Sequence, residues 1–180
     1  NYMTTGRVYQ SVINRERNLE YGGKCVEVVP HIPEEITRRI KTAARNANAD
    51  ITIVEIGGTV GEYQNLLFLE AARIMKQEKP NDVIFVLVSY LPIPSMVGEM
   101  KTKPSQQSVA LLREIGIIPD ILVCRTERSM EEEHKAKLAL FCNIKRELVF
   151  EEKDVDNSIY EVPIELAKQN LDKAILKLME

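Results

Sequence analysis

The sequence has little of three things that would point to particular classes of protein: cysteine, long apolar runs and excess positive charge. Its three cysteines are odd in number and widely spaced, which argues against a disulfide framework or a metal cluster. Each lies in or beside an apolar run, so we predict buried free thiols at Cys25, Cys124 and Cys142. No apolar run approaches the ~20 residues of a membrane span, and we expect no signal peptide. The formal net charge of −3 gives no overall field that would attract nucleic acid or an anionic membrane.

What is present is ordinary for a globular cytoplasmic protein. The chain has 180 residues, of which 44% are apolar and 28% are charged, enough for one domain with a sizeable core. Any phosphate-rich ligand would have to be held by local cations. The first residue is Asn1 and not methionine, and it stands directly in structured-looking sequence, so we expect a fragment of a longer protein.

Apolar runs typical of strands alternate with helical patterns along the whole chain. The predicted strands are Cys25–Val29, Ile51–Ile56, Asp82–Tyr90, Asp120–Cys124 and Leu148–Phe150. The predicted helices are one capped by Thr5, then Glu34–Asn48, Asn65–Gln77, Ser105–Ile115, Met130–Leu140 and a helical pattern from Tyr160 onward. Alternation of this kind predicts an α/β fold with a doubly wound, mostly parallel sheet and flanking helices.

An acid and a glycine turn follow the second predicted strand, in the stretch ITIVEIGGTVGEYQ. In parallel α/β sheets, ligands bind beyond the carboxyl ends of the strands, often at a helix N-terminus. Glu55 is therefore placed where a carboxylate can meet phosphates or their metal, and glycines let the backbone approach a ligand closely. The alternative is a solvated acid at a strand end, followed by a plain connection.

Two lysines precede a predicted helix in the stretch Lys101-Thr102-Lys103-Pro104-Ser105-Gln106. Ammonium groups, hydroxyls, an amide and the amides of a helix N-terminus together suit a polyphosphate. Pro104 in the first turn costs no hydrogen bond. Taken alone, the Lys-x-Lys pair also fits a solvated charged loop. Both this stretch and the glycine turn follow strands, so we expect the two to converge on one ligand.

Other positions carry weaker signals. Arg125 and the segment Lys153–Val155 follow predicted strands, while Lys137 lies in a charged helix and by default is solvated. His31, in a proline-bounded turn, is expected to form structural hydrogen bonds, although a ligand-facing role stays open.

Longer motifs resemble one family. The stretches TTGRVYQSVINRER, VVPHIPEEI, VEIGGTVGEYQNLLFLEAARIM, GEMKTKPSQQSVALLREIGIIPDILVCRTE, KLALFCNI and KDVDNSIYEVP occur in this order in CTP synthase, and look like its ammonia-ligase (synthetase) domain over residues 1–180. The resemblance implies an incomplete amidoligase fold that is P-loop NTPase-like and related to dethiobiotin synthetase. It also implies ATP-dependent amination of UTP to CTP, with Mg²⁺ and with ammonia from a fused glutaminase domain.

The resemblance also implies roles for individual residues. Glu55 matches a Mg²⁺ ligand, and Arg125 a residue near adenine. The segment matching the lining of the ATP site is Lys153, Asp154 and Val155. The residues matching the UTP and CTP contacts are Glu62, Tyr63, Gln64, Lys101, Thr102, Lys103, Pro104, Ser105, Gln106 and Lys137. Of these, Lys101 and Lys103 would also stabilise the charge in the transferred phosphoryl group.

The chain departs from the family pattern at several positions. The family usually has Asp-Ile-Glu where this chain has Glu62-Tyr63-Gln64, and KTKPTQ where Ser105 replaces a threonine. A Walker loop, GxxxxGK[ST], does not occur in these residues, so we expect the 180 residues alone to be inactive. The resemblance implies a homotetramer, with the Thr4–Arg17 helix as an interface element. The alternatives are a UTP- or CTP-sensing module without turnover and a ligase of the dethiobiotin-synthetase type.

Overall fold

A computed structural model describes residues 2–180 of the protein. The chain divides into two compact units, the first ending at Glu78 and the second comprising Lys79–Glu180. Each unit has its own buried apolar clusters. Among the described residues, no helix is both long and apolar enough to cross a membrane.

The first unit is built from three helices: α1 (Thr5–Arg17), α2 (Val28–Asn46) and α3 (Leu66–Glu78), the last preceded by a 3-10 turn at Tyr63–Asn65. Apolar residues spaced three or four apart give each helix a face to bury. The buried apolar residues of this core are Val8, Val12, Ile32, Ile36 and Ala71. The N-cap of α1 is Thr4, whose Oγ1 accepts a hydrogen bond from the Arg7 amide at 3.4 Å, so the prediction of Thr5 was wrong by one residue.

The strand predicted at Cys25–Val29 is not formed. The α2 helix begins at Val28, with a kink at Val29, where φ is −114° and ψ is 125°. A residue before proline is disfavoured in helical conformation, which explains the extended backbone at Val29. Cys25 lies in the connection between α1 and α2 and is exposed, contrary to the prediction of a buried thiol.

The strand predicted at Ile51–Ile56 is not formed either, since none of residues 2–78 lies in a strand. Ile53 is 93% exposed. High β-propensity describes how well a side chain fits a pleated, half-buried surface, and by itself it does not create the hydrogen-bonded neighbour that a strand needs.

The second unit contains a parallel three-stranded sheet in the order β1 (Val86–Tyr90), β2 (Ile121–Thr126), β3 (Val149–Lys153). Both neighbouring pairs are parallel, with Val86 opposite Ile121 and Leu122 opposite Val149. The helices of this unit are α4 (Lys103–Glu114), α5 (Glu132–Cys142), α6 (Val162–Lys168) and α7 (Leu171–Leu178), with 3-10 turns at Arg146–Leu148 and Ile159–Glu161. The predicted α/β class with a parallel sheet is confirmed.

Helices cover both faces of this sheet. Leu122 and Cys124 of β2 pack with residues of α4 and α5 on one face. Ile121 and Val123, which alternate with them, pack with residues of α6 and α7 on the other. Successive side chains of a strand point to opposite faces, so the continuous apolar run in β2 is what a strand covered on both sides requires. Cys124 is buried as predicted.

The first strand is shorter and more exposed than expected. The predicted strand spans Asp82–Tyr90, and its continuous apolar run is typical of a strand covered on both faces. The observed β1 spans only Val86–Tyr90, with alternating exposure. Val86 and Val88 are 45% and 57% exposed, whereas Leu87 packs against the core shared with α4 and α5. Val86 and Val88 lie opposite Ile121 and Val123 but outside the cluster that packs with α6 and α7, so this face of β1 is left uncovered.

Candidate functional site

The N-terminus of α4 carries the two predicted lysines. Lys103 is the first helical residue and is exposed, and Pro104 follows it in the first turn. Thr102, the N-cap, is buried, and its Oγ1 accepts a hydrogen bond from Gln106 Nε2 at 3.0 Å. Ser105 is fully buried, and its Oγ lies 2.6 Å from Ser89 Oγ of β1. The hydroxyls of Thr102 and Ser105 therefore form hydrogen bonds within the protein, whereas Lys103 faces solvent.

Lys101, just before this helix, forms an ion pair. Its Nζ donates to Glu99 Oε2 at 2.7 Å. The pKa of Glu99 is lowered chiefly by this hydrogen bond, and the positive charge of Lys137 adds to the effect. Lys137, predicted from the family motif, is therefore near enough to Glu99 for its charge to act on that carboxylate. Glu99 was not predicted as a site residue, although it precedes Lys101 by only two positions.

The carboxyl ends of the three strands form a second group of charged residues. Arg125 at the end of β2 lies between Tyr90 and Glu152 of the neighbouring strands. Its Nε is 3.4 Å from Glu152 Oε1, and a terminal guanidinium nitrogen is 3.9 Å from Asp154 Oδ1. The structure therefore brings together two of the residues that the resemblance places at an ATP site, Arg125 and Asp154.

The neighbours of this group complete the edge. The hydroxyl of Tyr90 donates to Glu127 Oε1 at 2.6 Å, and this hydrogen bond raises the Tyr90 pKa. Lys153 is exposed and Val155 is half-buried, and the Asp154 amide donates to the Thr126 carbonyl at 2.9 Å, which extends the pairing of β2 and β3. Tyr90, Glu127 and Glu152 were not predicted. The sequence feature that could have identified them is their position at or just after the end of a strand.

The glycine turn lies in the first unit, before α3. Glu55 is exposed. Glu62 Oε1 accepts a hydrogen bond from the Thr59 amide at 2.8 Å, and Gln64 Nε2 donates to Glu62 Oε2 at 2.6 Å. Tyr63 is 91% exposed. Two of the three residues of this turn that were predicted to contact a nucleotide, Glu62 and Gln64, are thus bonded to each other.

The charge available for a metal at this turn is limited. Within residues 2–180, no group of three or more His, Cys, Asp or Glu side chains could hold a metal ion by itself. A single carboxylate such as Glu55 nevertheless fits Mg²⁺, which is usually bound through one or two carboxylates together with substrate phosphates and water.

A buried carboxylate in the first unit was missed entirely. Glu35 is fully buried, and its oxygens accept hydrogen bonds from Arg38 at 2.7 and 2.8 Å and from Arg39 at 2.7 Å. Arg15 of α1 lies 3.7 Å away. Burial alone would raise the Glu35 pKa, but the arginine hydrogen bonds outweigh it and lower the pKa to about 2. The sequence signal was a Glu followed three and four residues later by arginines.

His31 makes the structural contacts that were expected of it. Its Nδ1 is 2.9 Å from the Glu27 amide nitrogen and 3.1 Å from the Glu27 carbonyl oxygen. Its ring packs edge-to-face against Tyr21, with 5.0 Å between the ring centroids. The prediction of a structural hydrogen-bonding role is confirmed.

Comparison with known proteins settles the family. The model of the CTP synthase N-terminus matches residues 1–180. The chain belongs to the CTP synthase family. CTP synthase of Protochlamydia amoebophila is 49% identical over 177 residues, which are 98% of this chain and 33% of that protein. CTP synthase of Fibrobacter succinogenes is 51% identical over 175 residues, 97% of this chain and 31% of that protein.

A third relative gives the same result. CTP synthase of Methanococcus aeolicus is 50% identical over 181 aligned residues, which cover 100% of this chain and 33% of that protein. The chain therefore spans about a third of the length of these CTP synthases.

Proposed function

We propose that the protein to which these residues belong converts UTP to CTP, using ATP and ammonia released from glutamine. ATP phosphorylates the uracil 4-oxygen, and ammonia then displaces that phosphate, so that a poor leaving group becomes a good one. Bound Mg²⁺ would add Lewis-acid stabilisation of the transferred charge. Support comes from the family match over the whole chain and from the cationic N-terminus of α4.

The cationic N-terminus of α4, with Lys101 and Lys103, is assigned to the triphosphate of UTP and of the product CTP. Lys103 is exposed at the first helical position, where the helix amides and their dipole also favour an anion. Lys101 and Lys137 contribute further positive charge around Glu99. Preorganised cations of this kind stabilise the charge that develops when a phosphoryl group is transferred.

The other groups receive complementary roles. Glu55 would hold Mg²⁺ together with substrate phosphates, because one exposed carboxylate suffices for that kind of site. Arg125, Lys153, Asp154 and Val155, at the carboxyl ends of β2 and β3, would line the ATP site. That the Glu55 turn and the lysines at the N-terminus of α4 bind one pyrimidine nucleotide together stays a prediction.

Assembly is part of the proposal. The glutaminase domain would be supplied by the same parent chain, and the enzyme would be a cytoplasmic homotetramer. The α1 helix is a candidate contact, because Ile13 on it is 47% exposed. Sedimentation of the protein with and without Ile13→Asp would test this, and an unchanged oligomer would count against α1 as the interface.

The assignment of the phosphate site is tested by titrating UTP and CTP into the full 180-residue chain by calorimetry. Lys103→Ala should weaken both nucleotides by about tenfold, the value of one charge-assisted hydrogen bond. Lys173→Ala, an exposed lysine in α7, is the matched control and should leave both affinities unchanged. Unchanged affinity in Lys103→Ala contradicts the assignment.

We also propose that the 180 residues alone do not aminate UTP, since their sequence contains no GxxxxGK[ST] loop to cradle the β- and γ-phosphates of ATP. CTP formation would be followed with UTP, ATP, Mg²⁺ and ammonia. Measurable turnover refutes this part. Tight UTP binding by a parent protein that also lacks turnover would favour the alternative of a nucleotide-sensing module.

A further inference from the structure

The turn before α3 is tied to itself by side chains. Glu62 Oε1 accepts from the Thr59 amide at 2.8 Å, while the Glu62 amide donates to the Thr59 carbonyl at 3.2 Å. Asn65 Nδ2 donates to the Gly57 carbonyl at 2.6 Å, reaching across eight positions of sequence. These contacts close the turn from both ends.

Gly58 shows how tightly the two side chains cover the turn. Its φ is +89°, in the region that favours glycine. A Cβ built on it would lie 2.7 Å from Asn65 Nδ2 and 2.7 Å from Glu62 Oε2. The space above the glycine is therefore filled by Glu62 and Asn65, which leaves this face of the turn covered by side chains.

The contact with Gln64 fixes which end of its amide faces outward. Gln64 Nε2 donates to Glu62 Oε2 at 2.6 Å. An ionised carboxylate only accepts hydrogen bonds, so the amide must turn its NH₂ group toward Glu62. Gln64 is exposed, and its Oε1 is left to accept a hydrogen bond from another group.

We infer that Glu62 and Asn65 are positioning residues: they clamp the turn in one conformation, and Glu62 orients Gln64 so that its Oε1 accepts a hydrogen bond from an N–H or O–H group of the pyrimidine nucleotide. The inference rests on the proposed function for the identity of the ligand. It changes the role of Glu62 from a nucleotide contact to a residue that acts through Gln64. It also adds Asn65, which the family motif did not indicate.

Hydrogen exchange of the Thr59 amide tests the clamp without any ligand. In the full chain, Gln64→Glu sets two carboxylates against each other and Asn65→Leu removes the bond to Gly57. Each should accelerate exchange of this amide by about fivefold or more. The controls Gln77→Glu, on α3, and Asn14→Leu, on α1, should not. Unchanged Thr59 exchange in both test variants overturns the clamp.

A charge swap tests the orientation of Gln64. In Glu62→Gln, the Gln64 amide can flip and still bond residue 62, so Thr59 stays protected while a donor, and no longer an acceptor, faces the ligand. UTP affinity should then fall about tenfold. In Glu62→Gln/Gln64→Glu the pair is rebuilt with reversed polarity and an acceptor faces outward again, so both Thr59 protection and UTP affinity should return.

The two readouts separate this inference from the proposed function. Restored Thr59 protection without restored UTP affinity in the double variant overturns the role of Gln64 as acceptor. Failure of the unmodified chain to bind UTP counts against the proposed function, whereas Thr59 exchange still decides the clamp. Circular dichroism and thermal unfolding of every variant establish that it is folded.

Discussion

Lys101 Nζ and Glu99 Oε2 lie 2.7 Å apart at the entrance to α4, so a carboxylate is bonded to a lysine assigned to a phosphate. The side chain of Glu99 is 62% exposed, and an ion pair this open is held weakly. The Glu99 carboxylate thus lies where the phosphates of the proposed nucleotide would bind, and it competes with them for Lys101.

We predict that Glu99→Gln strengthens UTP binding by about threefold to tenfold, because the phosphate no longer has to displace a competing carboxylate. Calorimetric titration of the 180-residue chain measures this. Glu114→Gln, which removes an equal charge at the other end of α4, is the control and should bind UTP as the unmodified chain does. Weaker binding in Glu99→Gln would mean instead that Glu99 orients Lys101.

The buried Glu35 predicts acid sensitivity in the first unit. Its folded-state pKa is about 2, below the ordinary glutamate value of 4.5, so the unfolded chain binds the proton more readily. The stabilisation is complete above about pH 4.5 and is lost as the pH falls toward 2; it corresponds to about 3 kcal/mol. Denaturant unfolding between pH 2 and pH 7, monitored for helices by circular dichroism, measures it.

The control for this prediction is Glu35→Gln. It replaces the carboxylate shared by Arg38 and Arg39 with a neutral amide that has a single acceptor oxygen, and should lower stability at pH 7 by about 3 kcal/mol. The same variant should flatten the acid dependence below pH 4.5. An acid dependence equal to that of the unmodified chain would show that other carboxylates cause it.

The cysteines should react at very different rates. Cys25 is exposed, whereas Cys124 and Cys142 are buried. Burial raises the pKa of Cys124 to about 12 and also raises that of Cys142, so the nucleophilic thiolate is scarce in both. We predict that an aromatic disulfide reagent titrates one thiol rapidly in the native chain and all three only after unfolding.

Cys25→Ser provides the check on that assignment. It should abolish the fast phase and leave the slow thiols unchanged. A fast phase that survives this substitution would place the reactive thiol in the second unit and contradict the burial of Cys124 and Cys142.

The sequence predicted the second unit better than the first. The apolar run Ile121–Thr126 is followed by a glycine-free loop and a helix, and all three features indicate a strand that leads into a helix. This strand is also paired on both sides. Ile51–Ile56 has the same local chemistry but no hydrogen-bonded neighbour among the described residues. Local pattern records what a segment favours, and pairing depends on the rest of the molecule.

The candidate site shows the same limit. The lysines before α4 were found because charge, proline and helix start coincide in a short stretch. Glu99, the Tyr90–Glu127 pair and the Asn65 bond to Gly57 were not found, since each depends on side-chain geometry. The spacing of residues along the chain does not indicate which of two adjacent polar side chains points into the protein.

The burial of β2 on both sides has a consequence for the chemistry at its end. Ile121 and Val123 pack with α6 and α7, and Leu122 and Cys124 pack with α4 and α5. Sliding the strand by one position would exchange the two sets and expose each to the wrong helices. The packing of these helices therefore fixes the register of β2, and the register places Arg125 between Tyr90 and Glu152.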